Sequence, residues 1–422
     1  MTPRPDVVMV ARTRALLPRE VDRLDPVAWA GEEGFLYRSP GLALAGRGVA
    51  ARLSLSDGLG RISHPDAVAG YLGAIDADDE VGMPGSGPVA VGSLPFDPGA
   101  PGSLVVPSMV VVKREDGFGW ITTVAPRQGG RPDTGILDPA PLPGSMPPDA
   151  FRLAPMPAHT DWLHKVEEAV AAVNAGHLEK VVLSRRVVVD ANRPLVVSDV
   201  LRRLAVLYPS CTVFSVDGFV GASPELLVRR TGREVVSFPL AGTVAHSGDP
   251  TADARAAAAL LASMKERHEH EVAAREVVRA LGDLCDDLSV PSSPSIVSLR
   301  NVSHLGTEIR GKLHESAQLP SVLELAASLH PTPAVAGTPR EQALAWIGKL
   351  EGAPRGPYAG PVGWMDARGD GEFMVGIRSA FIEENTAYLF AGVGIVGDSE
   401  PERELAETQL KLQALLAAVV RP

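Results

Sequence analysis

The sequence predicts an α+β protein built on large mixed sheets. Three observations indicate this class: strand-like segments come in groups that suit antiparallel pairing, long helical segments separate the groups, and no regular alternation of single strands and helices runs through the chain. Of the 422 residues, 45% are hydrophobic and 22% are charged. This is a globular composition, and the length allows one large domain or two to three ordinary ones.

The N-terminal part contains short strand-like runs that Gly and Pro interrupt, such as Gly41–Leu53 and Ser103–Val112. Residues 126–157 are rich in Pro, Gly and Asp, and this composition predicts a linker or a long surface connection. Residue patterns that suggest chemistry begin only beyond this stretch. We therefore expect the functional residues to lie after residue 157.

Beyond residue 157, the spacing of apolar residues predicts helices and strands in turn. The predicted helices, of which the second is long enough to be broken once, are Thr160–Gly176, Thr251–Leu288, Ser321–Leu329, Arg340–Leu350 and Pro401–Val420. The predicted strands are Lys180–Asp190, Val213–Gly221, Leu226–Arg230, Gly360–Trp364, Glu372–Glu383 and Ala387–Val396.

Charge and composition exclude several classes of protein. The formal net charge of −11 argues against a broad surface for nucleic acid or anionic membrane. No apolar run of the length of a membrane span occurs, and no apolar segment follows the first residues, so we expect a cytoplasmic protein. The sequence leaves the oligomeric state open, and a monomer is the default expectation. Cys211, in a strand-like run, and Cys285, in a helical run, are expected to be small buried hydrophobic residues without a disulfide.

One glycine motif allows two interpretations. Gly392, Gly394 and Gly397 spell G-x-G-x-x-G after a predicted strand, the pattern of a dinucleotide-binding turn. That fold needs a following strand with an acidic residue, and only one helix follows here. The pattern therefore favours glycines that permit close backbone approach to a ligand and expose N–H groups to an anion.

Two acidic pairs have the spacing of one helix face. Glu266 and Glu269 are three residues apart on the long helix, and Glu404 and Glu407 repeat this spacing on the last helix, where Lys411 continues the face. Carboxylates on two helices are able to share a hard divalent cation such as Mg²⁺. Spacing alone favours the other interpretation, which is a pair of solvated helix faces.

A series of short motifs spans the chain from about residue 160 to its last residue. They are Lys180-Val-Val-Leu-Ser-Arg185, Gly221-Ala-Ser-Pro-Glu-Leu-Leu227, Pro239-Leu-Ala-Gly-Thr243, Lys265-Glu-Arg-His-Glu-His270, His304-Leu305, Leu329-His-Pro-Thr-Pro-Ala334 with Gly337, Tyr358-Ala-Gly360, Gly371-Glu372, Ile377-Arg378, Ala391-Gly-Val-Gly-Ile395 and Glu404-Leu-Ala-Glu407-Thr408 with Lys411. In these motifs and their order, the segment resembles the chorismate-utilising enzymes, a family that includes anthranilate synthase component I, aminodeoxychorismate synthase, salicylate synthase and isochorismate synthase.

The resemblance implies the fold of anthranilate synthase component I, in which two large antiparallel sheets pack together with helices outside and the active site lies in a cleft between them. Residues 1–157 would then be a divergent N-terminal part of the same α+β domain, and residues 158–422 the chorismate-binding catalytic core. The connection at 126–157 would lie inside this domain.

The resemblance also implies a Mg²⁺-dependent reaction in which water adds at C2 of chorismate and the C4 hydroxyl leaves. Lys180 matches the general base that activates water, a role for which its amine must be unprotonated. Glu225 matches the general acid for the leaving hydroxyl, a role that needs a raised pKa. In the family context, Glu269 and Glu407 match direct Mg²⁺ ligands, with Glu266 and Glu404 as water-mediated support.

Other residues match the family's substrate-binding positions. Arg378 and Tyr358 resemble the clamp on the enolpyruvyl carboxylate, with the N–H groups of Gly392 and Gly394 as further donors. His304 is either a wall of the pocket near the pyruvyl side or a core histidine. The remaining predicted pocket residues are Leu240, Ala241, Gly242, Thr243, Ala334 and Lys411.

Two features favour isochorismate formation within this family. Lys180 indicates water as the nucleophile, and Ala334 stands where salicylate synthases usually have Thr. Gly306 is slightly more typical of the salicylate branch, so salicylate synthase is the alternative. A relative that binds a carboxylate without turnover is a second alternative, against which the complete catalytic set argues. The isochorismate would serve menaquinone or siderophore biosynthesis.

Overall fold

The computed structural model describes residues 8–62, 66–129 and 146–420. The strands are β1 (Met9–Ala15), β2 (Phe35–Ser39), β3 (Leu42–Arg47), β4 (Ala51–Leu55), β5 (Asp76–Asp79), β6 (Val89–Ser93), β7 (Gly102–Val106), β8 (Met109–Arg114), β9 (Gly119–Pro126), β10 (Phe151–Met156), β11 (Lys180–Ala191), β12 (Thr212–Val216), β13 (Phe219–Ser223), β14 (Leu226–Thr231), β15 (Glu234–Phe238), β16 (Leu240–Ala245), β17 (Cys285–Ser289), β18 (Ser295–Ser298), β19 (Val302–Gly306), β20 (Ile309–Leu313), β21 (Gly337–Thr338), β22 (Pro361–Asp366), β23 (Gly371–Val375), β24 (Ser379–Glu383) and β25 (Thr386–Ile395). The helices are α1 (Pro18–Arg23), α2 (Pro26–Ala30), α3 (Ala67–Gly73), α4 (His159–Asn174), α5 (Val197–Leu207), α6 (Pro250–Ala262), α7 (Met264–Gly282), α8 (Val322–Leu329), α9 (Arg340–Glu351) and α10 (Pro401–Val420).

Within the described residues, these strands form two large sheets and a small one. A thirteen-stranded sheet has the order β10-β11-β25-β24-β13-β12-β2-β3-β8-β9-β1-β5, with β21 also paired to β11. A nine-stranded sheet has the order β17-β20-β15-β14-β23-β22-β6-β7-β4, and β16-β19-β18 form the third. The β1–β5 pair is parallel, and the other registers are antiparallel. The predicted α+β class with large antiparallel sheets is confirmed.

The two large sheets pack face to face through aromatic side chains. Trp120 and Phe214 of the larger sheet share a buried cluster with Trp364 and Met374 of the nine-stranded sheet. Further apolar clusters join the outer faces of the sheets to helices, among them α4, α5, α8 and α10. None of the helices in the described part of the chain combines the length and the apolar character needed to span a bilayer.

The predicted strand Val213–Gly221 is wrong in its length, because it is a hairpin of β12 and β13. Asp217 and Gly218 form its two-residue turn with positive φ values of 47° and 81°. An Asp-Gly pair between apolar runs is the sequence signal for such a turn, since both positions need left-handed backbone. Because the turn reverses the chain, β13 runs back along β12 and ends at Ser223, two residues before Glu225.

The predicted strand Glu372–Glu383 is also wrong, because it divides into β23 and β24, which belong to different sheets. The chain crosses between them at Gly376, where an added Cβ would lie 2.9 Å from the Gly360 carbonyl oxygen. Arg378 follows with φ of 52°, a left-handed conformation that costs a non-glycine residue on the order of 1 kcal/mol or more. The crossing places Arg378 between the two sheets.

The predicted long helix Thr251–Leu288 is broken once, as expected, but it ends early. Ser263 ends α6 and caps α7, where its Oγ accepts from the Glu266 N–H. Cys285 begins β17 instead of continuing the helix, because the chain after Gly282 pairs with β20. Both cysteines are buried and unpaired, as expected.

The predicted linker at 126–157 is only partly irregular. Its last residues form the edge strand β10, which pairs with β11 from Phe151 to Met156. Residues 130–145 lie outside the described part of the chain. Alternation of apolar and polar residues in this strand is weak because most of its side chains are exposed.

Candidate active site

The structure brings every residue of the predicted site around one cavity. It opens between the larger sheet, the small sheet and the facing helices α7 and α10. The predicted residues that line it are Lys180, Glu225, Leu240, Ala241, Gly242, Thr243, Glu266, Glu269, His304, Ala334, Tyr358, Arg378, Gly392, Gly394, Glu404, Glu407 and Lys411.

Glu225 is a buried carboxyl group with one free oxygen. Its own N–H donates to Ser223 Oγ (3.3 Å), its carbonyl accepts from Val375 N–H (3.0 Å), and its carboxyl group accepts from the Leu240 N–H. Oε1 has no partner among the described residues. Burial raises the pKa of Glu225 to about 8, so the group carries a proton at neutral pH. It is suited to donate that proton into the cavity.

Arg378 and His304 form a buried donor–acceptor pair. Arg378 Nη2 donates to His304 Nε2 (3.1 Å). Because a guanidinium group only donates, the ring proton of His304 must lie on Nδ1, which donates to the Gly242 carbonyl oxygen (3.1 Å) and lies 3.0 Å from Thr243 Oγ1. Burial, reinforced by the Arg378 charge, lowers the pKa of His304 to about 3. The ring is therefore a neutral pocket wall that orients Arg378.

The glycines of β25 present backbone N–H groups on a free strand edge. Val182 of β11 is paired with Gly394 of β25, and its N–H donates to the Ala336 carbonyl oxygen (2.9 Å), on the side away from β25. In such an antiparallel pair the two residues do not bond to each other, so the N–H of Gly394 points away from β11. Gly392 is oriented likewise, since its carbonyl accepts from Lys411 Nζ (3.0 Å). In the described part of the sheet, β24 pairs with β25 only up to Leu389. The N–H groups of Gly392 and Gly394 are thus available to an anion.

The same glycines also make room for side chains of the site. A Cβ on Gly394 would lie 2.5 Å from Lys180 Cε, and one on Gly392 would lie 3.0 Å from the Tyr358 hydroxyl. Lys180, at the start of β11, extends across Gly394 so that its Nζ lies 3.1 Å from Glu269 Oε2. The glycine motif therefore serves side-chain packing as well as backbone exposure.

Four carboxylates face one another from two helices. Burial and the nearby charges of Glu269 and Glu407 raise the pKa of Glu266 on α7. On α10, burial and Glu407 raise the pKa of Glu404. Burial alone would raise the pKa of Glu407, but nearby cations, first among them the Lys411 ammonium group 2.7 Å away, lower that pKa. This end of the cavity concentrates negative charge from groups that repel each other.

The carboxylate cluster fits a hard cation in its chemistry. Glu266, Glu269, Glu404 and Glu407 offer only oxygen donors, which Mg²⁺ prefers, and their mutual repulsion is what a divalent ion relieves. Within the described ranges, no three His, Cys, Asp or Glu side chains converge closely enough to hold an ion as they stand.

Among the residues that line the cavity and were not predicted from the sequence are Lys265 and Phe390. Lys265 precedes Glu266 at the carboxylate end and forms an ion pair with Asp398 (2.9 Å) across the mouth. Phe390 stacks on the Tyr358 ring, with 5.0 Å between the ring centroids, and fixes its plane. Lys265 is the first residue of one recognised motif and Phe390 directly precedes another, and this proximity was their only signal in the sequence.

The chain is similar to known proteins both in sequence and in fold. The profile of a family described as "Chorismate binding enzyme" matches residues 137–420. Isochorismate synthase DhbC of Bacillus subtilis is 36% identical over 399 residues, covering 91% of this chain and 93% of that protein. The structure of MenF, the menaquinone-specific isochorismate synthase of Escherichia coli, is similar with a TM-score of 0.82 and 25% identity, over 98% of this chain and 96% of that chain. Anthranilate synthase component I of Streptococcus pneumoniae shares the fold, with a TM-score of 0.70 and 22% identity over 89% of this chain and 92% of that chain.

Proposed function

Because the chain belongs to the chorismate-binding enzymes, we propose that it is an isochorismate synthase, an isomerase that reversibly converts chorismate into isochorismate with Mg²⁺. The family predicted from the motifs is confirmed. One observation carries the assignment to this reaction: an amine, Lys180, and a protonated carboxyl group, Glu225, line the same cavity as the Arg378 guanidinium.

The reaction needs one proton removed and one supplied. Lys180 takes a proton from the water that forms the new C–O bond at C2 of chorismate. Glu225 gives its proton to the C4 oxygen as that C–O bond breaks and the ring double bonds shift, so one water enters and one leaves. A side chain that is able to accept a proton and one that is able to donate a proton line the same cavity, which suits this division of labour.

The substrate's two carboxylates need separate partners at the two ends of the cavity. We assign the enolpyruvyl carboxylate to Arg378, whose Nη1 is buried without a partner among the described residues, and to the N–H groups of Gly392 and Gly394. Tyr358 completes this clamp. The residues from Leu240 to Thr243 line the part of the cavity that would hold the ring. Lys411 Nζ donates to the Gly392 carbonyl oxygen and so holds this glycine in place.

The ring carboxylate belongs at the acidic end of the cavity, which requires a cation. We assign Glu269 and Glu407 as direct Mg²⁺ ligands and Glu266 and Glu404 as ligands through water. When bound, the ion supplies charge stabilisation to the carboxylate conjugated to C2. The protein's own part is to hold the four carboxylates on two helices that pack against the sheets.

Salicylate synthase, the alternative activity, finds no support at the residue that suggested it. Gly306 does not line the cavity, and an added Cβ there would lie 2.8 Å from Leu240 Cδ2 and Phe238 Cζ. Packing therefore explains this glycine. Ala334, which does line the cavity, suits release of isochorismate.

The organisation of the chain is part of the proposal. We assign residues 1–157 and 158–422 to one α+β domain, because β1–β9 are members of both large sheets. The protein would act on chorismate as a cytoplasmic monomer, without nucleic acid or membrane, in menaquinone or siderophore biosynthesis.

Product analysis tests the proposed function directly. Incubation with chorismate and Mg²⁺ should give isochorismate as the main product, and isochorismate should give chorismate in the reverse direction. EDTA should lower the rate by at least about tenfold, since the ring carboxylate then lacks its counter-charge, and excess Mg²⁺ should restore it. Chromatography that finds salicylate and pyruvate as the main products, or no turnover, would overturn the proposal.

Replacement of His304 tests its role toward Arg378. His304→Gln keeps an acceptor near the Nε2 position, whereas His304→Asn keeps a donor for the Gly242 carbonyl but leaves Arg378 Nη2 without its acceptor. We expect the KM for chorismate to rise by about tenfold or more in His304→Asn and clearly less in His304→Gln, since an orphaned buried donor costs about 1–3 kcal/mol. Equal KM values for the two variants would contradict the orienting role.

A further inference from the structure

One buried charge in the larger sheet has no part in the reaction just described. Along β11, the side chains that point to the same face as Arg185 are Val181, Leu183, Val187, Val189 and Ala191. Arg185 is the one charged residue in this apolar row, and only 3% of its surface is exposed. A buried arginine breaks the pattern of a core strand, and such breaks are concentrated at functional sites.

The Arg185 side chain has one hydrogen bond in the described structure. Its Nε donates to Thr408 Oγ1 (2.7 Å), and the Thr408 hydroxyl, itself fully buried, donates to the Leu405 carbonyl (2.7 Å). Arg185 Nη1 is buried without a partner among the described residues. Burial lowers the pKa of the guanidinium group. An apolar residue of similar volume would often be as stable or more stable at such a position.

The hydrogen bond joins β11, which carries Lys180, to α10, which carries Glu404, Glu407 and Lys411. Arg185 is on the same strand as Lys180 and lies opposite Ala391 of β25, whose methyl group lets α10 come close. Thr408 directly follows Glu407 on α10. A rotation or slide of α10 by a fraction of a turn would move its carboxylates relative to β11, and this hydrogen bond opposes such a movement.

We propose that Arg185 and Thr408 are positioning residues that hold α10 in register with β11, so that Glu404, Glu407 and Lys411 keep their places opposite Lys180. This inference rests on the proposed function for its kinetic consequence. Neither residue touches the cavity. Their contribution is to the geometry of the carboxylate end, at a cost to the stability of the fold.

Replacement of Arg185 by Leu separates positioning from stability. We expect the thermal midpoint of Arg185→Leu to be unchanged or higher, because a poorly satisfied buried charge is removed. We also expect kcat to fall by about tenfold to a hundredfold, because small misplacements of catalytic groups have effects of this size. Calorimetry should show weaker Mg²⁺ binding, a measurement that needs no turnover. Arg186→Leu, on the opposite face of β11, is the matched control and should keep all three properties.

Two Thr408 variants test the partner. Thr408→Ser keeps the hydroxyl group and should behave as wild type. Thr408→Val leaves the buried Nε of Arg185 without an acceptor, so both its thermal midpoint and its kcat should fall. The double variant Arg185→Leu with Thr408→Val should recover the thermal midpoint but not kcat. It no longer has a buried N–H donor without an acceptor, but the hydrogen bond between β11 and α10 is still missing.

Several outcomes would overturn this role. They are a kcat within about twofold of wild type in Arg185→Leu, a parallel loss of stability and activity in that variant, and equal losses in Thr408→Ser and Thr408→Val. Absence of chorismate turnover in the wild type would instead refute the proposed function, and the Mg²⁺ calorimetry would still decide the positioning role.

Discussion

Lys180→Met should lower kcat by about a thousandfold, because a general base in the transition state contributes about 10² to 10⁴ in rate. Methionine has nearly the length of the lysine side chain and still fits across Gly394, where no Cβ blocks it. Chorismate binding should remain within about fivefold of wild type, since Arg378 and the β25 N–H groups hold the substrate. Initial rates and equilibrium binding of chorismate measure the two effects separately.

Lys180→Arg is the sharper control, because the structure gives Lys180 an ion pair as well as a reacting position. Arginine retains a positive charge for Glu269, which Lys180 Nζ contacts at 3.1 Å, but it does not lose a proton in proteins. We expect it to be as inactive as Lys180→Met. Substantial turnover by Lys180→Arg would show that the charge matters and the base does not. Lys349→Met, an exposed change on α9, should have no effect.

The elements that could be predicted are those whose structure depends on a pattern within their own segment of sequence. Periodicity located α4, α8, α9 and α10 to within a few residues, since each has a buried face of its own. It failed where the chain changes sheets. The β23–β24 crossing at Arg378 looks like one strand because both halves are apolar, and what divides them is the packing of Gly376 against a distant backbone. The pattern of apolar residues within the segment Glu372–Glu383 gives no sign of that contact.

The site could be located from motifs, but its chemistry depends on the folded environment. Charge spacing alone favoured solvated faces for Glu266 and Glu407, and only the family resemblance reversed this. The protonation of Glu225 follows from burial that several elements create together. The tautomer of His304 follows from Arg378, which is remote in sequence. The Arg185–Thr408 link joins two recognised motifs, and neither motif alone indicates it.

Glu225→Gln should lower kcat by about 10² to 10⁴, because the amide cannot transfer a proton to the leaving C4 oxygen. The change keeps the shape of the side chain, and its amide still has an oxygen to accept from the Leu240 N–H. The KM for chorismate should therefore change little. Glu225→Asp, which keeps the acid but withdraws it by one methylene, should retain more activity than Glu225→Gln. The reverse order of activities would rule out proton donation by this residue.

The pH dependence gives an independent test of the same proton. Since the pKa of Glu225 is about 8 in the folded protein, kcat/KM of the wild type should fall as pH rises through about 8, where the acid form is lost. The folded protein binds this proton more tightly than the unfolded chain, whose glutamate pKa is near 4.5. The free energy of unfolding should therefore decrease as pH rises between these two values, and Glu225→Gln should lack this part of the decrease. A wild-type rate that stays level up to pH values well above 8, together with the same stability slope in Glu225→Gln, would mean that Glu225 is already ionised at neutral pH and another group supplies the proton.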